Sequence, residues 1–262
     1  MWREIGHVFQ KIGSMDDNCR CILLNGHGKN FCSGIDVSDP NFDLMNMANQ
    51  NNNTNNNDDE KPKSDVARKY LSFYPKIRQM QHCLTSIEQC PIPVIVAIHG
   101  SCIGGGIDVV CCADIRICTS NTIFSVREVK LGLAADVGTL QRLPKIVGSM
   151  SRVRELCFTG ENFNGYEAEK IGLVSRIVET QHQLMTLGLC ICDEIARNSP
   201  IAVQGTKLSL NYSRDHTVQE GLEHIAMHNA AALMTDDLSA SFVAATSRTK
   251  AEYSNTLPHA KL

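Results

Sequence analysis

The chain has 262 residues, 43% of them apolar and 20% charged, with 25 Lys and Arg against 28 Asp and Glu for a net charge of -3. That is an ordinary globular composition without long like-charge blocks, so it carries no electrostatic footprint for nucleic acid or an anionic membrane. The strongest apolar run, Val94-Ile95-Val96-Ala97-Ile98, falls far short of the ~18 residues a spanning helix needs, and no membrane span is expected.

In chain order, the first segment carries Trp2, Ile5, Phe9 and Ile12 at helical spacing, one face of an amphipathic helix over residues 1–12. Glu4 within it is an acid that a transit peptide avoids. Cys19 to Gly26 is a short apolar run ending at a turn, which predicts a buried strand. From Asn49 to Asn57 seven of nine residues are Asn, and a charged stretch follows. This composition cannot bury enough apolar area to offset its ordering entropy, so residues 46–63 are expected to be a disordered surface insertion. Such an insertion costs little and does not require a domain boundary.

Val66 to Ile87 has helical patterning, with a kink or break expected at Pro75. Cys90-Pro91-Ile92-Pro93 punctuates the chain before the strand Val94–Ile98. Gly104-Gly105-Gly106 is expected to open a helix running through Asp108 to Cys112. Ile115–Cys118 and Phe124–Val126 read as further strands, and Val137–Val147 reads as a helix interrupted at Pro144. The remainder is mostly helical, which places strands before residue 130 and helices after it.

The twelve cysteines, among them Cys19-Arg20-Cys21, Cys111-Cys112 and Cys190-Ile191-Cys192, lack the spacings of a disulfide framework or a zinc knuckle. Most are expected to be small buried residues, in a reducing compartment and with no metal bound.

Two segments suggest chemistry. Phe31-Cys32-Ser33-Gly34-Ile35-Asp36 and Ser101-Cys102-Ile103-Gly104-Gly105-Gly106-Ile107-Asp108 are both strand exits into glycine-rich backbone. Two such turns can aim N–H groups at one developing oxyanion, as enolate chemistry on a thioester requires. Neither is a dinucleotide fingerprint or a phosphate-binding Walker loop. Asp108, Glu128 and Asp136 lie on successive connections after them. Taken singly, Asp108 could complement a helix dipole, Glu128 could be a solvated strand end, and Asp136 could cap a helix. Together they point to acid and base work.

These segments, with Pro93-Val94-Ile95-Val96-Ala97-Ile98-His99-Gly100 and Ala113-Asp114-Ile115-Arg116, closely resemble the crotonase (enoyl-CoA hydratase/isomerase) superfamily. Val126 through Pro144, with Ser199–Lys207 and Tyr212–His216, is similar to its Δ3,5-Δ2,4-dienoyl-CoA isomerase branch. The resemblance implies an α/β fold, a spiral of ββα turns over residues 1–195 followed by a helical C-terminal region over 196–262 that builds homotrimers or homohexamers. It also implies a strand and loop ahead of the first helix, a segment that helps to cradle CoA and that this chain does not show. The oxyanion hole maps onto the N–H groups of Ile35 and Gly105, with Ser33, Gly34, Asp36 and Gly106 around them. The acidic trio maps onto Asp108, Glu128 and Asp136, of which Asp136 is absent from hydratases.

The expected function is therefore isomerisation of 3,5-dienoyl-CoA in β-oxidation of unsaturated fatty acids, with no cofactor beyond the CoA of the substrate. Moving the diene requires proton removal at C2 and delivery at C6, so two acid/base groups must stand apart along the acyl chain. Asp136 is assigned to C2 and Glu128 to C6, with the opposite polarity left open, and Asp108 tunes or orients its neighbours. Burial and mutual repulsion should raise at least one of their pKa values. The alternatives are an enoyl-CoA hydratase using Asp108 and Glu128 on a water, or a catalytically impaired binding subunit. The terminal Ala260-Lys261-Leu262 resembles a peroxisomal address read by an import receptor, with a mitochondrial location as the alternative.

Overall fold

The strands are divided between two sheets. The computed structural model describes residues 2–12, 19–36 and 65–256, so both the Asn-rich insertion and the terminal tripeptide lie outside the described residues. In chain order the elements are α1 (Trp2–Ile12), β1 (Ile22–Asn25), α2 (Val66–Gln89), β2 (Val94–Ile98), β3 (Ser101–Ile103), α3 (Gly105–Cys112), β4 (Ile115–Thr119) and β5 (Ile123–Ser125). A 3-10 turn (Glu128–Leu131), α4 (Thr139–Ile146), α5 (Met150–Thr159), β6 (Phe163–Asn164), α6 (Gly165–Lys170) and β7 (Arg176–Val178) follow. The chain closes with α7 (Gln181–Ala196), α8 (Pro200–Ser213), α9 (Val218–Ala232) and α10 (Asp236–Ser247).

A four-stranded parallel sheet has the order β1-β2-β4-β7, and a second sheet has the order β3-β5-β6. β3 and β5 are parallel, while β6 returns antiparallel to β5. The pairs β2–β3, β4–β5 and β6–β7 each lay one strand in each sheet, and the first turn adds β1 to one sheet and the Cys32 bridge to the other, which is the expected ββα spiral. Among the described residues no helix is long and apolar enough to cross a membrane.

The continuous apolar run of β2 follows from its place in the sheet. All five residues are fully buried, because parallel strands are covered on both faces. Val94, Val96 and Ile98 face the main core with Ile87, Ile107 and Phe124, whereas Ile95 and Ala97 face a second cluster with Ile117 and Leu184 of α7. α1 uses the predicted face, with Phe9 buried, and crosses α2 closely: a Cβ at Gly6 would fall 2.7 Å from Cys83 Sγ.

Four expectations need correction. Pro75 does not break α2: the missing N–H would have paired with the Leu71 carbonyl, at an exposed position where water can replace it. The helix is held instead by its Asp65 cap and its buried C-terminal half. Pro144 likewise lies inside α4, which is anchored by buried Thr139 and Leu143. The strand predicted at Phe124–Val126 is β5, Ile123–Ser125, one residue earlier and set by its pairing with β3. Strands also occur after residue 130: β6 and β7, of two and three residues, are too short to give a period but complete both sheets.

Candidate active site

The two glycine turns meet because the chain around Cys32 runs beside β3. Phe31 and Cys32 donate their N–H groups to His99 and Ser101, and Ile103 donates to Cys32, each at 2.9 Å. Cys32 and Cys102 form a parallel bridge. Ser33-Gly34-Ile35-Asp36 therefore leaves the sheet alongside Gly104-Gly105-Gly106. Gly34 and Gly104 have φ of 96° and 56°, left-handed backbone that favours glycine.

A Cβ at Gly104 would stand 3.9 Å from Gly34 Cα and 3.3 Å from Glu128 Oε1, so both turns and one acid converge there. At Gly106 a Cβ would come within 2.9 Å of Cys32 Cβ, which makes glycine the residue that lets the turns close up. At Gly105 it would meet nothing within 4 Å, leaving this position open to a ligand. Gly105 is the first residue of α3, where the helix supplies no acceptor for the N–H groups of its first turn. Ile35, which carries the other expected donor, is exposed.

Glu128 is not a strand end but opens the 3-10 turn, which closes on left-handed Gly132. Its side chain is buried, and Oε2 has no hydrogen-bond partner. Asp108 is fully buried in α3. Its Oδ1 accepts both the N–H and the hydroxyl of Thr139 at 2.7 Å, while Oδ2 has no partner. It thus serves the N-terminus of α4, not the dipole of its own helix alone. Asp136 does not cap a helix, since the N-cap of α4 is Gly138. It is exposed, and its carbonyl accepts from Gln81 Nε2 at 2.6 Å, which ties the loop to α2.

The electrostatics join the three acids. Burial pushes the Glu128 carboxyl above its usual range, and the charges of Asp108 and Asp136 push in the same direction. Burial likewise raises Asp108, against the two Thr139 hydrogen bonds; Asp136 raises it further and Arg142 lowers it. Two buried carboxylates with unpartnered oxygens are costly, and such groups gather where a ligand supplies the missing contact. The site can hold a proton on a carboxyl beside open backbone donors.

Other residues in the distinctive segments serve the frame. Asp114 Oδ2 accepts from Val94 N and from Lys207 Nζ, both at 2.7 Å, and Lys207 also donates to the Ile92 carbonyl at 3.0 Å. Arg116 donates to the Leu173 and Ala113 carbonyls. Sequence reasoning gives no role to Thr139 or Arg142. Arg142 Nε donates to Glu88 Oε2 at 2.9 Å and its Nη2 to Thr85, and Nη1 occupies the space a Cβ on Gly138 would need. No local signal marks either residue, because both act on partners 31 to 57 positions away.

Comparison with known proteins places this arrangement among relatives. A family model described as enoyl-CoA hydratase/isomerase matches residues 1–256. The chain is 44% identical over 244 residues to the mitochondrial Δ(3,5)-Δ(2,4)-dienoyl-CoA isomerase of Rattus norvegicus, covering 93% of this chain and 70% of the relative. It is 42% identical over 229 residues to the peroxisomal enzyme of that name from Arabidopsis thaliana, covering 87% and 77%. Among solved structures, an enoyl-CoA hydratase from Bacillus anthracis matches with a TM-score of 0.79 at 25% identity, over 96% of this chain and 87% of that one.

Proposed function

The chain belongs to the enoyl-CoA hydratase/isomerase family, and from that premise we infer that it converts 3,5-dienoyl-CoA to 2,4-dienoyl-CoA in the β-oxidation of unsaturated fatty acids. The carrying observation is identity of 44% to a dienoyl-CoA isomerase over nearly the whole chain.

The chemistry follows from the acids and the turns. The N–H groups of Ile35 and Gly105 hold the thioester oxygen, and Asp136 removes a proton from C2. The C2–H electron pair enters a trienolate whose negative oxygen the two donors stabilise. Glu128 then delivers a proton to C6, which leaves double bonds at C2 and C4 conjugated with the thioester. The atoms balance without oxidation or an added group, so the reaction needs no cofactor beyond the CoA of its substrate. The raised Glu128 carboxyl supports its role as the proton donor, because it keeps its proton to higher pH than an ordinary glutamate. The hydratase alternative asks Asp108 and Glu128 to share a water. The identity of 44% and 42% to dienoyl-CoA isomerases counts against it.

Absorbance of the conjugated 2,4-dienoyl thioester tests the reading directly. The wild-type chain is expected to generate it from 3,5-dienoyl-CoA, and Asp136→Asn to lose it by roughly 10²- to 10⁴-fold with its fold intact. A 3-hydroxyacyl-CoA product instead would establish the hydratase, and full activity of Asp136→Asn would remove Asp136 from C2.

Self-association into a trimer or hexamer is supported by apolar side chains left exposed on α9 and α10, including Leu222, Met227, Phe242 and Val243. The relatives include mitochondrial and peroxisomal forms. Peroxisomal residence rests on Ala260-Lys261-Leu262 engaging the import receptor. Imaging the full chain with and without that tripeptide decides the compartment.

A further inference from the structure

Asp108 is fully buried, yet only one of its oxygens is used. Both contacts to that oxygen come from Thr139, through the backbone N–H and the hydroxyl, at 2.7 Å each. Thr139 is itself fully buried and is the first residue of α4, so its own position is set by the helix it begins. α4 is in turn fastened to α2 by Arg142, one turn further on, through Glu88 and Thr85. The consequence is a carboxylate fastened by one oxygen, with Oδ2 left unshared.

We propose that Thr139 is a positioning residue for the isomerisation, holding Asp108 by Oδ1 so that its charge stands in one fixed orientation beside Glu128, the proton donor at C6. This rests on the assignment of Glu128 made above. Thr139 is fully buried, and its hydroxyl is given to Asp108. It acts through Asp108, and Asp108 acts through its field on Glu128.

The charged groups facing Asp108 are Glu128 on the 3-10 turn, Asp136 on the loop before α4, and Arg142 on α4. Cys102, Cys111 and Cys112 also lie near, but burial raises their thiols, that of Cys112 to about 12, and they stay neutral in the working range. Cys157 faces Glu128 and is raised by burial in the same way.

The sign of the effect follows. Without the hydroxyl, Asp108 loses a contact that favours its charged form and keeps its proton to higher pH. Less negative charge then stands beside Glu128, whose own carboxyl becomes easier to deprotonate. The alkaline limb of the kcat profile, where the proton donor is lost, moves to lower pH.

The experiment measures kcat, KM and the pH profile of the full-length protein for Thr139→Val, Thr139→Ser and Thr139→Ala, each alone and with Asp108→Asn, beside Glu128→Gln. Thr139→Val keeps the shape and the backbone N–H, and a fall in kcat of about tenfold with little change in KM is expected. Its alkaline limb moves acidward, and Thr139→Ser restores both. In the Asp108→Asn background the Thr139 substitutions add nothing. A Thr139→Val enzyme with unchanged kcat and limb, or an equal further loss in the Asp108→Asn background, overturns the proposal. If Thr139→Val does not fold, Thr139→Ala and Thr139→Ser give the same contrast. Loss of turnover in Glu128→Gln alongside a silent Thr139→Val would defeat this inference alone. Full turnover of Glu128→Gln would defeat the assignment beneath it, and this inference with it.

Discussion

The spiral and the C-terminal helices treat their apolar residues in opposite ways. In the spiral, β2 is completely covered, and both of its faces find partners within the chain. In α8, α9 and α10 the buried residues are few: Pro200, Gly205 and Lys207 in the first, Gly221 in the second, Ala244 in the third. Leu210, Leu222, Met227 and Phe242 meanwhile remain more than half exposed. The spiral closes a core by itself, whereas these helices leave an apolar surface of the kind that marks an interaction site. The regions are joined by polar contacts: Lys207 to Asp114 and Ile92, and Asn211 and Arg214 to Glu88.

The sharpest way to break this contrast acts in the spiral. Glu128→Gln is expected to lower kcat by roughly 10²- to 10⁴-fold in the diene assay. The same change should not weaken the fold. A raised carboxyl contributes stability that is full below its unfolded pKa and is lost as pH rises through the folded value. The wild type therefore loses that contribution on going from acid to neutral pH, and Glu128→Gln does not. Thermal melts of both from pH 4 to 8 check the sign, and a mutant less stable at pH 8 than the wild type would contradict it.

The joint between the regions comes next. Lys207→Met removes the buried cation and leaves Asp114 holding only the Val94 N–H. Breaking one side of a buried pair costs about 3 to 5 kcal/mol. Urea unfolding should show that loss, with activity per folded molecule kept. A cost near zero would mean that the two regions are not fastened there.

The smallest effect is expected at the surface of α7. Thr180 and Gln183 form a reciprocal cap at its N-terminus, and Thr180→Ala should cost about 1 kcal/mol without touching turnover. A larger loss would show that α7, which covers one face of β2 through Leu184, depends on its cap more than on its packing.

Much of the fold is legible in local patterns. The apolar run Val94–Ile98, the amphipathic face of α1, the helix after the triple glycine and the two glycine turns are of this kind, and each element lies where its period puts it. Asp108 and Glu128 stand out because they follow those turns. The prolines mislead because Pro75 sits where solvent can take over a lost hydrogen bond, and exposure is not a property of the sequence. β6 and β7 escape a reading by pattern because two or three residues carry no period and are held by pairing alone.

The longer elements, the glycine turns and the acids that follow them can be read from the sequence, since these depend on side-chain chemistry and spacing along the chain. Folding in three dimensions settles which oxygen of Asp108 is held, which acids are buried and which residue, Thr139, does the holding. Those outcomes depend on distances between segments 31 residues apart and on the removal of water from between them, and neither is written in any local pattern.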